Sequence, residues 1–456
     1  MYRLGIDAGR TQTTAILMDP QDKIMAIAKE PVTTGLVAGI AQVLERMVGV
    51  DRSMPIEKII IGTDFFGEAL LAGKRLAKVA AIRIGQARST IPPLYGGVGS
   101  VRSAIAVDEF FLYGGHEIDG RAHELEWQQD ELKRYARACI ERGVESFAIT
   151  GTFSPLAQGH EAQVASWIRE AAGDASAITM SHELGSLGFL ERENAAILNA
   201  SLTKLIQASL AGVKELIDRY HIQAKLFFTQ NDGSLLSYDA VLRHPIRTFG
   251  SHISNCFRGA SLLARLQDCV IVDVSEDAAR IGLVEGGFPK EKRRNQNIAG
   301  VRVNLQMPDV TEVRFPSEGP VVRDQCLEEI HQAIQRFQPR FDPYPIVFVG
   351  EKSERIATVY KYPWVDVLHL QHFPLASTVG ACMAPISGRV DRIFWLEEMS
   401  REETMDLAKQ EAIHSAVREG ADPQTVFVQT AEIFPLSYMP SKAVRVSVKA
   451  IGEALL

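Results

Sequence analysis

No apolar run in the chain approaches the ~18–20 residues that a membrane-crossing helix needs, so composition offers no span. Cysteine is scarce: Cys139, Cys256, Cys269, Cys326 and Cys382 stand apart, five in number and without a C-x-x-C pair. That excludes a disulfide framework and a zinc knuckle, and predicts reduced thiols in a cytoplasm. A basic excess is missing too. The 456 residues carry 49 Lys and Arg against 56 Asp and Glu, a formal charge of −7, whereas a nucleic-acid binder shows a basic face. The dense basic run Lys290-Glu291-Lys292-Arg293-Arg294 follows Gly287-Phe288-Pro289 and reads as a solvated loop, the alternative being a phosphate or partner patch. The amino-terminus reaches Asp7 too soon to be a secretory apolar region. Nucleic acid and membrane are both set aside as partners.

What is present is alternation. Three short apolar runs, Arg3–Ala8, Thr13–Met18 and Lys23–Ala28, flank the turn Asp19-Pro20-Gln21-Asp22 and predict an antiparallel meander. A helix over Ala38–Met47 and a strand at Lys58–Ile61 follow. Next come strands at Lys78–Ile84, Ser146–Thr150 and Ile178–Met180, with helices at Gln128–Glu141 and Glu161–Ala171. Apolar residues from Ile197 to Leu216 recur at helical spacing, so Glu191–Tyr220 is read as one long amphipathic helix joining two lobes. Strands are expected at Lys225–Thr229 and Val270–Val274, around the turn Asn231-Asp232-Gly233. Residues 286–320 read as a loop-bearing insertion. The tail predicts a helix, Ser400–Arg418, and strands at Val426–Thr430 and Ala443–Ala450. The fold class is α/β with mixed sheets flanked by helices. An Asp follows an apolar strand in both halves, at Ile6-Asp7 and Val272-Asp273, which suggests a duplicated fold.

Asp7-Ala8-Gly9-Arg10-Thr11-Gln12-Thr13 is a strand, a Gly-containing turn and a second strand. A phosphate cradle needs inward backbone N–H groups, neighbouring hydroxyls and an Asp for Mg²⁺ or its water. Asp7, Gly9, Thr11 and Thr13 supply those types; an ordinary hairpin with a polar turn is the other reading. The segment resembles the first phosphate loop of the hydantoinase A/oxoprolinase family, Asp-x-Gly-Gly-Thr-x-Thr. The likeness continues through Ile61-Gly62-Thr63, Gly114-Gly115-His116-Glu117, Ser181-His182-Glu183, Arg192-Glu193-Asn194-Ala195-Ala196-Ile197-Leu198-Asn199-Ala200, Gln230-Asn231-Asp232-Gly233, Pro245-Ile246-Arg247-Thr248-Phe249 and Gly388–Phe394.

The resemblance implies the two-lobed fold of sugar kinases, Hsp70 and actin, a duplicated ribonuclease H-like core. It divides the chain into an N-terminal domain, 1–180, and a core domain, 181–456, ending in a small α/β segment from about 388. It implies ATP-dependent opening of a small cyclic amide such as a hydantoin or lactam. Mg-ATP would lie against Asp7, Gly9, Thr11, Thr13 and Asp273. The expected partner is a second, hydantoinase B-like subunit or another copy of the chain.

Against Mg-ATP stand departures in the loops themselves. Arg10 replaces a glycine of the first loop. The second reads Asp273-Val274-Ser275-Glu276-Asp277-Ala278-Ala279-Arg280 where the family has Asp-x-Gly-Gly-Thr-x-Thr-Asp, so Glu276 and Asp277 are expected to face the polyphosphate. Glycine-rich turns are also lost at Phe315–Gly319 and at Gly350-Glu351-Lys352-Ser353. A nucleotide-free relative acting as a partner or scaffold subunit is the alternative function.

His116 and Glu117, in a Gly-flanked loop, are candidates for a divalent metal or for substrate, against a plain polar turn. His182 and Glu183 follow a short strand, a common address for acid/base groups. Asn231 and Asp232 complete the candidate catalytic set by resemblance. His369 and His372 are three apart, but their apolar neighbours predict a strand or loop, not a metal helix. Cys256 and Cys382 read as buried structural thiols.

Overall fold

A computed structural model of the chain describes residues 2–9, 11–32, 35–48, 55–173, 177–185, 188–292, 296–316, 324–339, 341–369, 375–396, 399–436 and 443–455, with the backbone alone at Val48, Glu126 and Asp324. Arg10, Arg293, Arg294, Ser317–Gly319 and His372 lie outside the described residues.

The expected meander is present as β1 (Tyr2–Ala8), β2 (Gln12–Met18) and β3 (Ile24–Pro31); α1 (Gly35–Val48) then leads to β4 (Ile56–Thr63), parallel to β1. After α2 (Phe65–Ala72) come four parallel strands, β5 (Val79–Gly85), β6 (Asp108–Tyr113), β7 (Ser146–Gly151) and β8 (Ala177–Met180). Their crossovers are α3 (Gly99–Ile105), α4 (Gln129–Glu141) and α5 (Gly159–Ala172). The long α6 (Phe189–Arg219) delivers β9 (Lys225–Thr229) and β10 (Leu235–Ser237) back to the first sheet, followed by α7 (Tyr238–Arg243) and α8 (Ser251–Ala264).

The second half opens with β11 (Cys269–Val274) and β12 (Ala278–Glu285). The stretch read as a loop-bearing insertion carries four short strands, β13 (Phe288–Pro289), β14 (Gln296–Ile298), β15 (Val301–Val303) and β16 (Val310–Arg314). Runs of two to five residues are too short to show a period of two. Then come α9 (Asp324–Phe337), β17 (Ile346–Val349), α10 (Ser353–Ala357), β18 (Val367–His369) and α11 (Ala376–Cys382). The tail is β19 (Ile386–Trp395), α12 (Arg401–Arg418), β20 (Phe427–Pro435) and β21 (Ala443–Gly452), with a capping box at Ser400 and Glu403 opening α12.

Duplication is visible in strand order. The nine-stranded sheet contains β3-β2-β1-β4-β9, and the six-stranded sheet runs β16-β12-β11-β17-β18. In both, the first three strands are antiparallel and the last three parallel. Asp7 and Asp273 occupy the same penultimate position of equivalent strands, opposite Thr14 and Arg280. This is the duplicated ribonuclease H-like core of the sugar kinase, Hsp70 and actin class.

Alternation decides what each strand face meets. Leu4, Ile6 and Ala8 pack with Leu36, Ile40 and Leu44 of α1; Val270, Val272 and Val274 pack with Ile330 and Ile334 of α9. The opposite faces, carrying Gly5, Asp7 and Asp273, look inward onto α8 and α11. Those two helices touch backbone to backbone: a Cβ on Gly259 would sit 1.7 Å from Ala376 O, and one on Gly380 1.9 Å from Asn255 O. By length and composition α6 could cross a membrane, but 72% of its apolar window is buried, against strands of the nine-stranded and the β5–β8 sheets.

Candidate functional site

The first region is the cleft between the duplicated sheets. Burial raises the Asp7 carboxyl above its ordinary range, against the hydrogen bond from Ser377 Oγ and the charge of His252. Among the described residues its buried Oδ1 has no hydrogen-bond partner. Asp273 is likewise raised by burial, against Arg280, which lies 4.0 Å away, and His252. Between them His252, on α8, lies 3.5 Å from Asp64 Oδ1. The Asp64 charge holds the imidazole above its usual range despite burial. Asp64 stays below its own because His252, Arg280 and the Gly250 N–H outweigh burial.

Two sequence expectations change here. Thr13 lies on the α1 face of β2, where a Cβ on Gly39 would come within 2.5 Å of its Oγ1; Thr14, opposite Asp7, shares the cleft face. A hairpin places alternate residues on opposite faces, so the hydroxyls at 13 and 14 cannot both serve one site. Thr11 is exposed at the turn beside Gly9, whose N–H donates to Gln12 O at 3.1 Å. Glu276 and Asp277 do not face the cleft interior. Both are exposed: Glu276 pairs with Lys352 at 2.8 Å, and Asp277 accepts from Ser275 Oγ at 2.7 Å.

The turn after β17 packs against the second loop. Gly350 (φ +95°) presses on the second loop so tightly that a Cβ there would lie 2.4 Å from Val274 O and 2.7 Å from Asp273 Oδ1. Glu351 reaches across to accept from Gln12 Nε2 at 3.0 Å. Arg280, where the family pattern ends in Asp, turns a carboxylate position into a cation held by Asp273 and by Glu312 at 3.3 Å. Among the described residues no three His, Cys, Asp or Glu side chains converge as metal ligands. The cleft carboxylates fit a cation in charge, and the second loop ends on the cation Arg280.

The second region gathers at the C-terminal ends of β5–β8, where α/β sheets present functional side chains. Glu161, at the start of α5, is fully buried and accepts from Gly151 N (2.8 Å), Ser181 Oγ (2.6 Å), His182 N (3.1 Å) and His182 Nδ1 (2.6 Å). Burial would raise this carboxyl, but His182, Ser181 and Arg192 together hold it below its ordinary range. With Nδ1–H fixed on a carboxylate, His182 presents Nε2 for proton exchange. Arg192, brought down to about 10 by burial, braces the same corner through Ser181 Oγ at 3.0 Å and Ser154 Oγ at 3.2 Å.

Glu183 is paired with His244 Nε2 at 3.1 Å, and its backbone O accepts from Arg247 Nη2 at 2.6 Å. Arg247 in turn accepts from Asn231 N at 2.7 Å through its own backbone O. The structure thus joins His182, Glu183, Asn231 and Asp232 into one continuous wall. Asp232 Oδ1 takes Ser234 N and Oγ, while Oδ2 pairs with Lys449 at 2.6 Å. Against burial, those partners bring Asp232 down to about 2. Lys449 also approaches Glu291 at 3.6 Å, and Glu291 pairs with Arg389 at 2.8 Å. So Glu291, read as part of a solvated basic run, is an internal counter-ion.

His116 sits deeper in the N-terminal sheet, its ring 4.3 Å from that of His160. Burial, then His160 and His123, lower its basicity. Glu117 pairs with His123 at 2.9 Å. Glu161, Arg192, His244, His252, Arg280 and Lys449 were not anticipated as site residues. The one available signal was Arg280 at the loop's closing Asp position; the others pair across distances that local sequence does not show.

The fold and this wall define a two-lobed α/β protein with an actin-type core and an added N-terminal sheet. Two family models match, the hydantoinase/oxoprolinase N-terminal region over residues 3–172 and hydantoinase/oxoprolinase over 192–316, together more than half of the chain. The chain belongs to the hydantoinase/oxoprolinase family. No curated protein matches it in sequence. Among solved structures it is similar to the ATP-dependent caprolactamase of Pseudomonas jessenii (TM-score 0.75, 15% identity, 99% of this chain and 87% of that one). It is also similar to acetone carboxylase, an enzyme of ATP-dependent acetone carboxylation, in its nucleotide-free form (TM-score 0.71, 11% identity, 100% and 88%). At such identities the likeness shows the fold.

Proposed function

We propose that the chain is a hydantoinase/oxoprolinase-type subunit that receives a small cyclic amide at the His182–Asp232 wall, and that its own cleft does not take Mg-ATP in the family manner. One observation carries the second part: Arg280 stands where the second loop of the family ends in Asp, and it is tied to Asp273 and Glu312. A cation built into the chain occupies the electrostatic role that a bound metal would fill. His182, oriented by Glu161, is the group suited to take a proton from water attacking an amide carbon. The expected setting is the cytoplasm, in an assembly with a second, B-type subunit or with another copy. Calorimetric titration of the purified chain with Mg-ATP and Mg-ADP tests this reading. No heat up to millimolar nucleotide is expected; micromolar binding overturns it.

A second reading, ATP-dependent ring opening in this chain, is favoured by Asp7 Oδ1, a buried carboxylate oxygen without a partner among the described residues. Under it Asp7→Ala abolishes ATP-dependent turnover of a lactam or hydantoin, and unchanged turnover removes that role.

A further inference from the structure

Arg247 is fixed at its backbone from two sides: its N–H donates to His244 O at 3.0 Å and its carbonyl accepts from Asn231 N at 2.7 Å. Its guanidinium spends one N–H on Glu183 O at 2.6 Å. Among the described residues it makes no other hydrogen bond and no ion pair. Such a group carries five N–H donors in a planar fork, so most of them remain for a ligand. The Glu183 carboxylate, on the residue whose backbone O it holds, is near enough for its charge to act on the guanidinium. One oxygen is taken by His244 Nε2, and the side chain is 34% exposed, which leaves acceptor capacity on the same wall. Burial brings His244 down to about 4, so at neutral pH it is an uncharged donor and Glu183 keeps its full charge.

We propose that Arg247 and Glu183 form a paired donor and acceptor that recognises the edge of a ring amide and discriminates against open-chain amides. The geometry of the amide supplies the logic. An open-chain secondary amide is trans, with C=O and N–H on opposite edges, because the cis form costs ~2.5–4 kcal/mol. A small ring enforces cis, so C=O and N–H point the same way. A guanidinium N–H beside a carboxylate oxygen meets both groups of the ring amide at once, and only one of an open-chain amide. A site built to hydrogen-bond an N–H rejects the analogue lacking it because its own polar group is left unpaired. This deepens the proposed function and rests on its claim that a cyclic amide binds here.

The test is ligand-observed NMR or calorimetry on the full chain with 2-pyrrolidinone, N-methyl-2-pyrrolidinone and N-methylacetamide. The lactam is expected to bind about tenfold more tightly than either of the others, a gap of one good hydrogen bond. Arg247→Lys and Glu183→Leu are each expected to erase that preference, with folding checked by circular dichroism. The ligand series on the unaltered chain stands even if a variant fails to fold. Equal binding of the lactam and its N-methyl derivative overturns the paired edge and leaves the substrate class intact. Binding of none of the three overturns the cyclic-amide reading itself, and the edge with it.

Discussion

The cleft and the loop wall lie on opposite sides of α8, and they treat their carboxylates in opposite ways. His252 and Cys256 of that helix face Asp64 and Asp273; Ser254 and Arg258 face Asn231 and the Lys449 side. In the cleft burial wins at Asp7 and Asp273, which are pushed up, while His252 holds Asp64 down. On the wall partners win, and Asp232, Glu161 and Glu183 are held down. A carboxylate held down is satisfied by the protein alone. One pushed up is dominated by burial, with partners too weak to offset it.

The largest effect is expected on the wall. Asp232→Asn removes the close partner of buried Lys449 and should destabilise the protein by about 3 kcal/mol in urea unfolding, the usual result of breaking a buried pair. The pH dependence has a definite sign. Asp232 is brought from an ordinary carboxylate value to about 2 in the folded chain, so its stabilisation is complete above the unfolded value. It is lost as pH falls toward 2. The variant should lose that part of the acid slope. A change below about 1 kcal/mol, within the range of an exposed pair, breaks the comparison from the wall side.

Asp7→Asn should act the other way. A raised folded value means that Asp7 helps most when protonated, at low pH, and that its contribution is lost as pH rises through the raised value. At neutral pH the neutral amide is expected to gain about 1 kcal/mol, in the range that relief of an unfavourable site gives. A loss of stability instead means that the Asp7 charge is already satisfied, which removes the contrast with Asp232.

Much of this was legible because it is local. The period-two pattern of Leu4, Ile6 and Ala8 against polar neighbours marks β1, and the repeated apolar-Asp ending marks the duplication. The Gly-flanked and Ser-His-Glu loops were legible as polar ends of strands. What escaped depends on geometry between distant segments. Lys449 on the last strand meets Asp232 through sheet order, and Glu291 enters the core from within a basic run. Thr13 is the instructive miss. Its place on the α1 face follows from the pairing of Asp7 with Thr14, which spacing within one hairpin implies once the turn length is known. Glu161 was only the first residue of the helix expected at Glu161–Ala171, whereas its burial comes from two strand ends converging on it.

The smallest effect is expected at Glu276, and it separates two causes of cleft closure. Its side chain is 69% exposed and its partner Lys352 30% exposed, so the pair is screened by solvent. Glu276→Gln should leave the urea midpoint unchanged. Arg280 is different, being only 18% exposed and engaged with both Asp273 and Glu312. If the cleft is refused to nucleotide by the charge at Arg280, then Glu276→Gln leaves Mg-ATP binding undetectable, while Arg280→Asp, which restores the family residue, changes it. If Glu276→Gln alone admits Mg-ATP, the surface pair is the bolt, and the assignment of closure to Arg280 fails.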